Sequence, residues 1–470
     1  MALQIKFGFH GGARNVTGSK HLVEVNGTRL LVDCGLVQER EFLSRNWQPF
    51  PFPPDSLDAV LLTHAHVDHC GLIPKLVRDG FRGKIYCTRA TSDIVQIILM
   101  DSARLQEEDA AFKKRRHKRE GRKGPLPEIP LYTVEDVEAS LPLFSPIDYE
   151  KDISLGKGIK ATFHDAGHVL GSSMIKITAS VGEELRTILF SGDIGRWDRP
   201  ILNDPSLFDN IDYVVVESTY GNRVHSKPPD IADSLADVIN STWKAGGNIL
   251  VPSFALQRSQ EILYHMNQLL LEDRIPHLMV FLDSPMAVSI TDVFRRHTEL
   301  FDREMTHLLR QNKSPFDFPG LEMVQTVDES KAINHIKGTV MVIAGSGMCT
   351  GGRIKHHLVT NISRPDSTVL FVGYQAMGTL GRLMADGARK VRILGQRYDV
   401  RAKIAQIYGF SSHADQDELL RWLDGFKNTP RRIMVVHGEA DAAERFGKLL
   451  TEKKGWNVMV PEYGAEVILD

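Results

Sequence analysis

The sequence predicts an α/β protein in which one domain is inserted into another, and three observations carry that reading. Short strand-like runs dominate the start. Near residue 221 the grain changes to helices alternating with buried strands, and near residue 400 the first grain returns. The length, 470 residues, suggests two or three domains rather than one.

Taken in order, "QIKFGF", "KHLVEV", "TRLLVD", "DAVLLT" and "KIYCT" read as strands, the first of them just after the N-terminus. The run "TSDIVQIILMDSARLQEEDAAFKKRR" then repeats apolar residues at helical spacing. Strands resume with "IKATFHDA", "SSMIKITAS", "RTILFSGD" and "DYVVVEST". After "TYGNRVHSKPPD" the helix "IADSLADVINSTWKAG" leads to the strand "NILVPS", and "SQEILYHMNQLLLE" leads to "HLMVFLDSP". The later runs "GTVMVIAGS" and "STVLFVGY" are almost continuously apolar, as parallel strands covered on both faces should be. The expected domains are residues 1–220, an inserted 221–402 and a returning 403–470, where "KIAQIYGFSSHAD", the helix "QDELLRWLDGF" and "RRIMVVHGE" follow.

Several classes are excluded or disfavoured. No apolar run approaches the ~20 residues that cross a bilayer, so no membrane association is expected. The N-terminus lacks the layout of a secretory signal. Four scattered cysteines without a C-x-x-C pair argue against a disulfide framework and for a reducing cytoplasm. A net charge of −2 does not advertise a nucleic-acid binder. It can hide a local patch, however, and Lys113, Lys114, Arg115, Arg116, Lys118, Arg119, Arg122 and Lys123 crowd one helix end and loop. A solvated segment and a phosphate-attracting arm are both open readings there.

The chemistry concentrates in "THAHVDHCG", where His64, His66, Asp68 and His69 fall within six positions after an apolar strand. Alternation along the strand end lets His64 and His66 face one point. A turn toward a helix starting at "GLIPKLV" would carry Asp68 and His69 to a neighbouring point. Imidazole nitrogen and carboxylate oxygen are ordinary zinc ligands, but the run offers too few for two ions, so distant segments must contribute. His168 in "HDAGHVLGSS", Asp193 in "ILFSGDIGR" and Asp33 in "LLVDCG" are the acidic or imidazole strand ends available. His10, His164 and His225 stay unassigned.

"HAHVDHCG" resembles the signature of the metallo-β-lactamase superfamily. "VTGS", "LVDCG", "AGHVLGSS", "SGDIGR", "VVVESTYGNR", "GFSSHADQ" and "VVHGE" follow the order of its β-CASP nuclease branch, across residues 16 to 439. The resemblance implies an αββα sandwich with an inserted α/β β-CASP domain. It implies two zinc ions per chain, one held by His64, His66 and His168 and the other by Asp68, His69 and His437. Asp193 would bridge them, and Asp33 would orient ligands without binding metal. Asp68, Glu217 and His413 would be catalytic. The histidine at 437 is similar to RNA-processing members, where DNA-repair members carry an apolar residue. "GSGMCTGGR" and "FVGYQAMGTLGR" bring the chain nearest to relatives of the pre-mRNA 3′-end cleavage endonuclease subunit and their prokaryotic counterparts. The KH domains and long C-terminal extension of some relatives are not seen, so a compact stand-alone nuclease is expected.

That resemblance makes single-stranded RNA the expected partner, cut as an endonuclease or from the 5′ end, with a homodimer left open. In the inserted domain, the strand-to-helix junctions "PSFALQRSQE", "AGSGMCTGGR" and "GYQAMGTLGR" offer phosphate contacts through Arg258, Ser346, Gly347, Arg353, Gly373, Gln375 and Thr379. Tyr374 could stack a base or sit in the core. The alternatives are a hydrolase of small esters or thioesters, which needs no insertion of this size, and a DNA nuclease, against which His437 argues.

Overall fold

The computed structural model describes residues 4–121, 123–181, 183–225 and 230–469. The chain forms two compact units. One comprises residues 1–198, 203–224 and 412–470, and the other comprises 199–202 and 225–411.

The first unit contains two seven-stranded sheets. Period-two alternation explains their pairing: Ile5, Phe7 and Phe9 of one sheet and Ile159, Ala161 and Phe163 of the other turn their side chains into one shared core. On the strand Tyr213–Glu217, Tyr213 and Val215 enter that core. Val214 and Val216 face the other way, onto Leu419, Trp422 and Leu423 of the helix Gln416–Leu423 and Phe446 of Ala440–Lys454. The long helix Arg89–Glu120 buries Ile94, Val95, Ile98 and Leu99 and touches the strands Lys84–Thr88 and Phe144–Ile147 of the first sheet. Four layers result, αββα. Truncating an inner-layer aromatic such as Phe163 or Phe190 to alanine is expected to cost about 3–5 kcal/mol.

The second unit is built on a parallel sheet of six strands, with helices and an antiparallel pair, Lys390–Ile393 and Gln396–Asp399, beside it. In spatial order the six are Leu321–Met323, Met279–Leu282, Val340–Ala344, Ile249–Pro252, Thr368–Phe371 and Lys403–Gln406. The apolar runs at 340–344 and 368–371 are buried throughout, which is what coverage on both faces requires. Lys403–Gln406 was expected to open the returning part of the outer domain. It instead pairs in parallel with Thr368–Phe371 as an edge strand, and the second unit accordingly runs to Ser411 rather than 402.

All four cysteines are buried and unpaired. Among the described residues no helix is long and apolar enough to cross a membrane.

Candidate metal centre

Parallel pairing gathers the site in the first unit. Thr28–Val32 lies beside Ala59–Leu61, so Asp33 emerges next to Thr63, whose N–H donates to Asp33 Oδ1 at 2.8 Å. Glu217 pairs in register with Val436, which puts it beside the start of the loop carrying His437. Several donors leave their strands through left-handed backbone. Asp33 (φ 61°) and His437 (φ 48°) adopt it themselves, and Gly192 (φ 53°) provides it just before Asp193. Held at a strand end, such a conformation re-aims a side chain at a modest local cost. Asp68 and His69, expected in a tight turn, sit in a short helix, Val67–Cys70.

Two donor sets emerge: His64, His66, His168 and Asp193, and then Asp68, His69 and His437. In the first, His64 Nε2 lies 3.0 Å from His66 Nδ1, and His168 Nε2 lies 3.3 Å from it. Asp193 Oδ2 is 3.4 Å from His64 Nε2 and 3.5 Å from His168 Nε2. In the second, His69 Nε2 and His437 Nε2 are 3.0 Å apart, with Asp68 Oδ2 3.5 Å from His437 Nε2. Asp193 also reaches this set, its Oδ1 lying 3.3 Å from His69 Nε2. Four ligands placed tetrahedrally about zinc at roughly 2.1 Å stand about 3.4 Å from one another, so both sets fit.

The tautomers decide what these distances mean. His69 Nδ1 donates to Asp33 Oδ2 at 2.7 Å, and His168 Nδ1 to the Ser412 carbonyl at 3.2 Å. Thr63 Oγ1 donates to Asp33 and therefore accepts from His64 Nδ1 at 3.0 Å. Thr219 Oγ1 donates to the His437 carbonyl and accepts from His437 Nδ1 at 3.1 Å. Each Nδ1 proton is thereby placed on an oxygen, leaving Nε2 as a lone pair. Lone pairs then face lone pairs across 3.0 Å, and Asp193 Oδ1 is buried without a hydrogen bond. Such a cluster repels itself unless cations occupy it.

Electrostatics also call for positive charge here: burial would lower His69 and His437, but Asp193, with Asp33 beside the first and Asp68 beside the second, outweighs it and raises both. Burial pushes His64 down to about 3 and His66 to about 4, keeping both rings in the neutral, ligating form. Burial would raise Asp68 and Asp193, but the imidazoles around them, His437 foremost, hold both carboxyls well below their usual range.

Beside the donors stands a second pair. Glu217 is fully buried, accepts the Ile194 N–H at 2.5 Å, and lies 3.2 Å from His413 Nδ1. The His413 side chain is 20% exposed, its Nε2 3.8 Å from Asp193 Oδ2. Burial would lower its pKa, but Glu217 and then Asp193 outweigh it and raise it to about 9.

The Metallo-beta-lactamase superfamily domain matches residues 22–218, the Beta-Casp domain residues 259–384, and the Zn-dependent metallo-hydrolase RNA specificity domain residues 397–461. A ribonuclease of Thermus thermophilus is 40% identical over 97% of this chain and 98% of its own. The chain belongs to the metallo-β-lactamase superfamily, in its β-CASP nuclease branch. The transcription termination factor FttA of Methanocaldococcus jannaschii is 31% identical over 93% of this chain and 67% of its own. A crystal structure of a protein of unknown function from Enterococcus faecalis V583 shares the fold, with a TM-score of 0.56 at 12% identity, covering 99% of this chain and 100% of that one. The αββα sandwich with a β-CASP insertion is thus the fold expected from the motifs, and the β-CASP chain is a metal-dependent nuclease.

The seven residues expected to ligate metal and the Glu217–His413 pair come together in the first unit. The residues expected to contact phosphate lie in the second, and their polar groups are mostly engaged there. Arg353 donates to Asp283 (2.7 Å) and to the Val324 and Gln325 carbonyls. Arg258 donates to the Val372 carbonyl and lies over the Phe410 ring. Ser346 Oγ accepts from Thr350 and Gly351 N–H, Gln375 donates to the Gly347 and Gly373 carbonyls, and Thr379 caps the helix Leu380–Ala385. A free arginine fork at 353 is therefore not what the structure contains, because a carboxylate seventy residues earlier already holds it. Tyr374 is exposed and not a core residue. Of the basic stretch, residues 113–119 lie on the last turns of Arg89–Glu120. Lys113 and Arg116 pair with Asp109 and Glu120, and Arg122 falls outside the described residues.

Sequence reasoning missed Thr63, Thr219 and the Ser412 carbonyl, which set the tautomers. Thr63 and Thr219 adjoin recognised motifs, so proximity was the one signal available; a backbone carbonyl leaves none.

Proposed function

We propose that the chain is a ribonuclease that holds two zinc ions and hydrolyses single-stranded RNA to 3′-hydroxyl and 5′-phosphate ends. The observation that carries this reading is the pair of donor sets sharing Asp193, with the Glu217–His413 pair alongside. The RNA substrate is supported by the name of the 40% identical Thermus relative and by that of the RNA specificity domain. FttA, named for transcription termination, fits a role on transcripts.

Zinc in both sets would lower the pKa of a bound water toward neutrality and offset charge on the scissile phosphate. The residues do the rest. His64, His66 and His168 would hold one ion and Asp68, His69 and His437 the other, with Asp193 within reach of both. Asp33, Thr63, Thr219 and the Ser412 carbonyl keep the rings in the ligating tautomer. His413, protonated and braced by Glu217, gives its Nε2 proton to the departing 3′ oxygen. No 2′ hydroxyl takes part, so preference for RNA over DNA must arise in strand binding.

The test is a denaturing-gel time course of zinc-loaded protein on 5′-labelled single-stranded RNA, beside DNA of equal sequence. RNA-selective cleavage that His437→Ala abolishes is expected, and the ladder separates internal cuts from stepwise release at the 5′ end. Intact RNA with both metals bound, alongside turnover of a thioester, would contradict the proposal.

A further inference from the structure

Strand residues, the helix Ile73–Arg78 and loops of the first unit line a small recess that includes none of the metal-donor residues. Lys20, Arg45 and Lys75 reach it, with His10 beside them, and no aspartate or glutamate lines it. Lys20 is 7% exposed, and its ammonium donates to two neutral acceptors, the Gly18 (2.9 Å) and Gly35 (2.8 Å) carbonyls. An ammonium has a third N–H. Arg45 is sandwiched between the rings of Phe42 and Tyr463, 4.0 and 3.9 Å from their centroids, with only a 3.4 Å contact to Asn15 Oδ1. Lys75 alone has a carboxylate, Asp79 at 2.9 Å, and it also lies over the Phe50 ring.

Three cations thus share one carboxylate. Gathering buried positive charge without counter-charge is costly, and the cost shows on Lys20. Burial, reinforced by Lys75 and Arg45, pushes it down to about 8.

We propose that this recess binds a small oxyanion of the orthophosphate class. A doubly charged anion offsets the unbalanced cations. Arg45, flattened between two rings, presents a fork suited to bidentate contact with phosphate oxygens, while Lys20 and Lys75 act as point charges. Main chain next to the recess is tied to the metal centre: Ser19, which precedes Lys20, donates its N–H to the Asp68 carbonyl at 2.9 Å, and Cys34, whose carbonyl accepts from the Leu72 N–H, donates its own to the His69 carbonyl at 2.7 Å. An ion held here braces the segment that carries two metal donors.

The experiment is thermal unfolding of the metal-loaded protein against rising inorganic phosphate at constant ionic strength, for wild type, Arg45→Gln and Lys75→Gln. Phosphate at the metal centre would raise Tm equally in all three, so the difference between them reports the recess. Wild type is expected to gain several degrees more than either variant. Lys20→Met should remove the extra gain altogether, and Arg45→Gln keeps the test decisive if that variant does not fold. Equal gains in wild type and Arg45→Gln would overturn the proposal. A 5′-phosphorylated dinucleotide is expected to give no such difference. If it reproduced the extra gain, the recess would belong to nucleic-acid ends and not to the free ion.

Discussion

Two buried polar clusters sit at strand ends in this protein, one in each unit, and they are built on opposite principles. In the second unit Asp283 is fully buried, yet Ser330 Oγ (2.5 Å), His357 Nε2 (2.6 Å) and Arg353 (2.7 Å) all surround it with donors. Every acceptor has a proton and the negative charge has a positive one. In the first unit the Nε2 atoms of His69 and His437 meet at 3.0 Å with their protons committed elsewhere, and Asp193 Oδ1 has no hydrogen bond. Crowding of histidine and aspartate is common to both. What separates a structural network from a metal centre is whether donors and acceptors complement one another.

Substitutions can break that contrast. The largest effect is expected for His437→Ala, which removes a ligand found only in the second donor set: bound metal should fall from two ions per chain to one, by elemental analysis after dialysis, with cleavage abolished. His413→Ala should instead keep both metals and slow cleavage by about 10²–10⁴-fold, since it removes a proton donor and no ligand. The pH profile sharpens that distinction. His413 is held protonated up to about 9, so cleavage should decline as pH rises through that value, and Glu217→Gln should move the declining limb to lower pH because the charge that raises the pKa is gone. Asp33→Asn, which disturbs the hydrogen bonds orienting His69 and Thr63 but removes no ligand, should weaken metal affinity roughly 10–100-fold in a chelator competition. The smallest effect on metal is expected from Asp283→Ala. It should destabilise the second unit by about 3–5 kcal/mol in denaturant unfolding while leaving metal content untouched, because it strands the buried His357 and takes the carboxylate from the partly exposed Arg353, neither of which serves an ion.

Much of the donor arrangement was legible in the sequence, because its chemistry is locally dense. Four ligand-type residues within six positions after an apolar strand are costly to crowd together unless cations share their lone pairs, and strand ends marked by glycine pointed to His168 and Asp193. The short helix holding Asp68 and His69 was not legible, since four residues are too few to show a period. Nor was the fate of Arg353, because the carboxylate that takes it lies on another strand, far off in sequence. The edge strand Lys403–Gln406 was read into the wrong unit for a related reason: its exposed, mixed sequence names no partner, and only pairing with Thr368–Phe371 assigns it. The cationic recess escaped notice because Lys20, Arg45 and Lys75 belong to three separate segments.

The most direct test of the central claim is the metal content of the folded protein, measured by native mass spectrometry on wild type and Asp193→Ala after zinc loading and dialysis. Two zinc ions on wild type, with fewer retained once the shared carboxylate is gone, is the predicted result. A folded wild-type chain that emerges free of metal would contradict it, for the facing lone pairs of His69 and His437 would then be satisfied by something other than a cation.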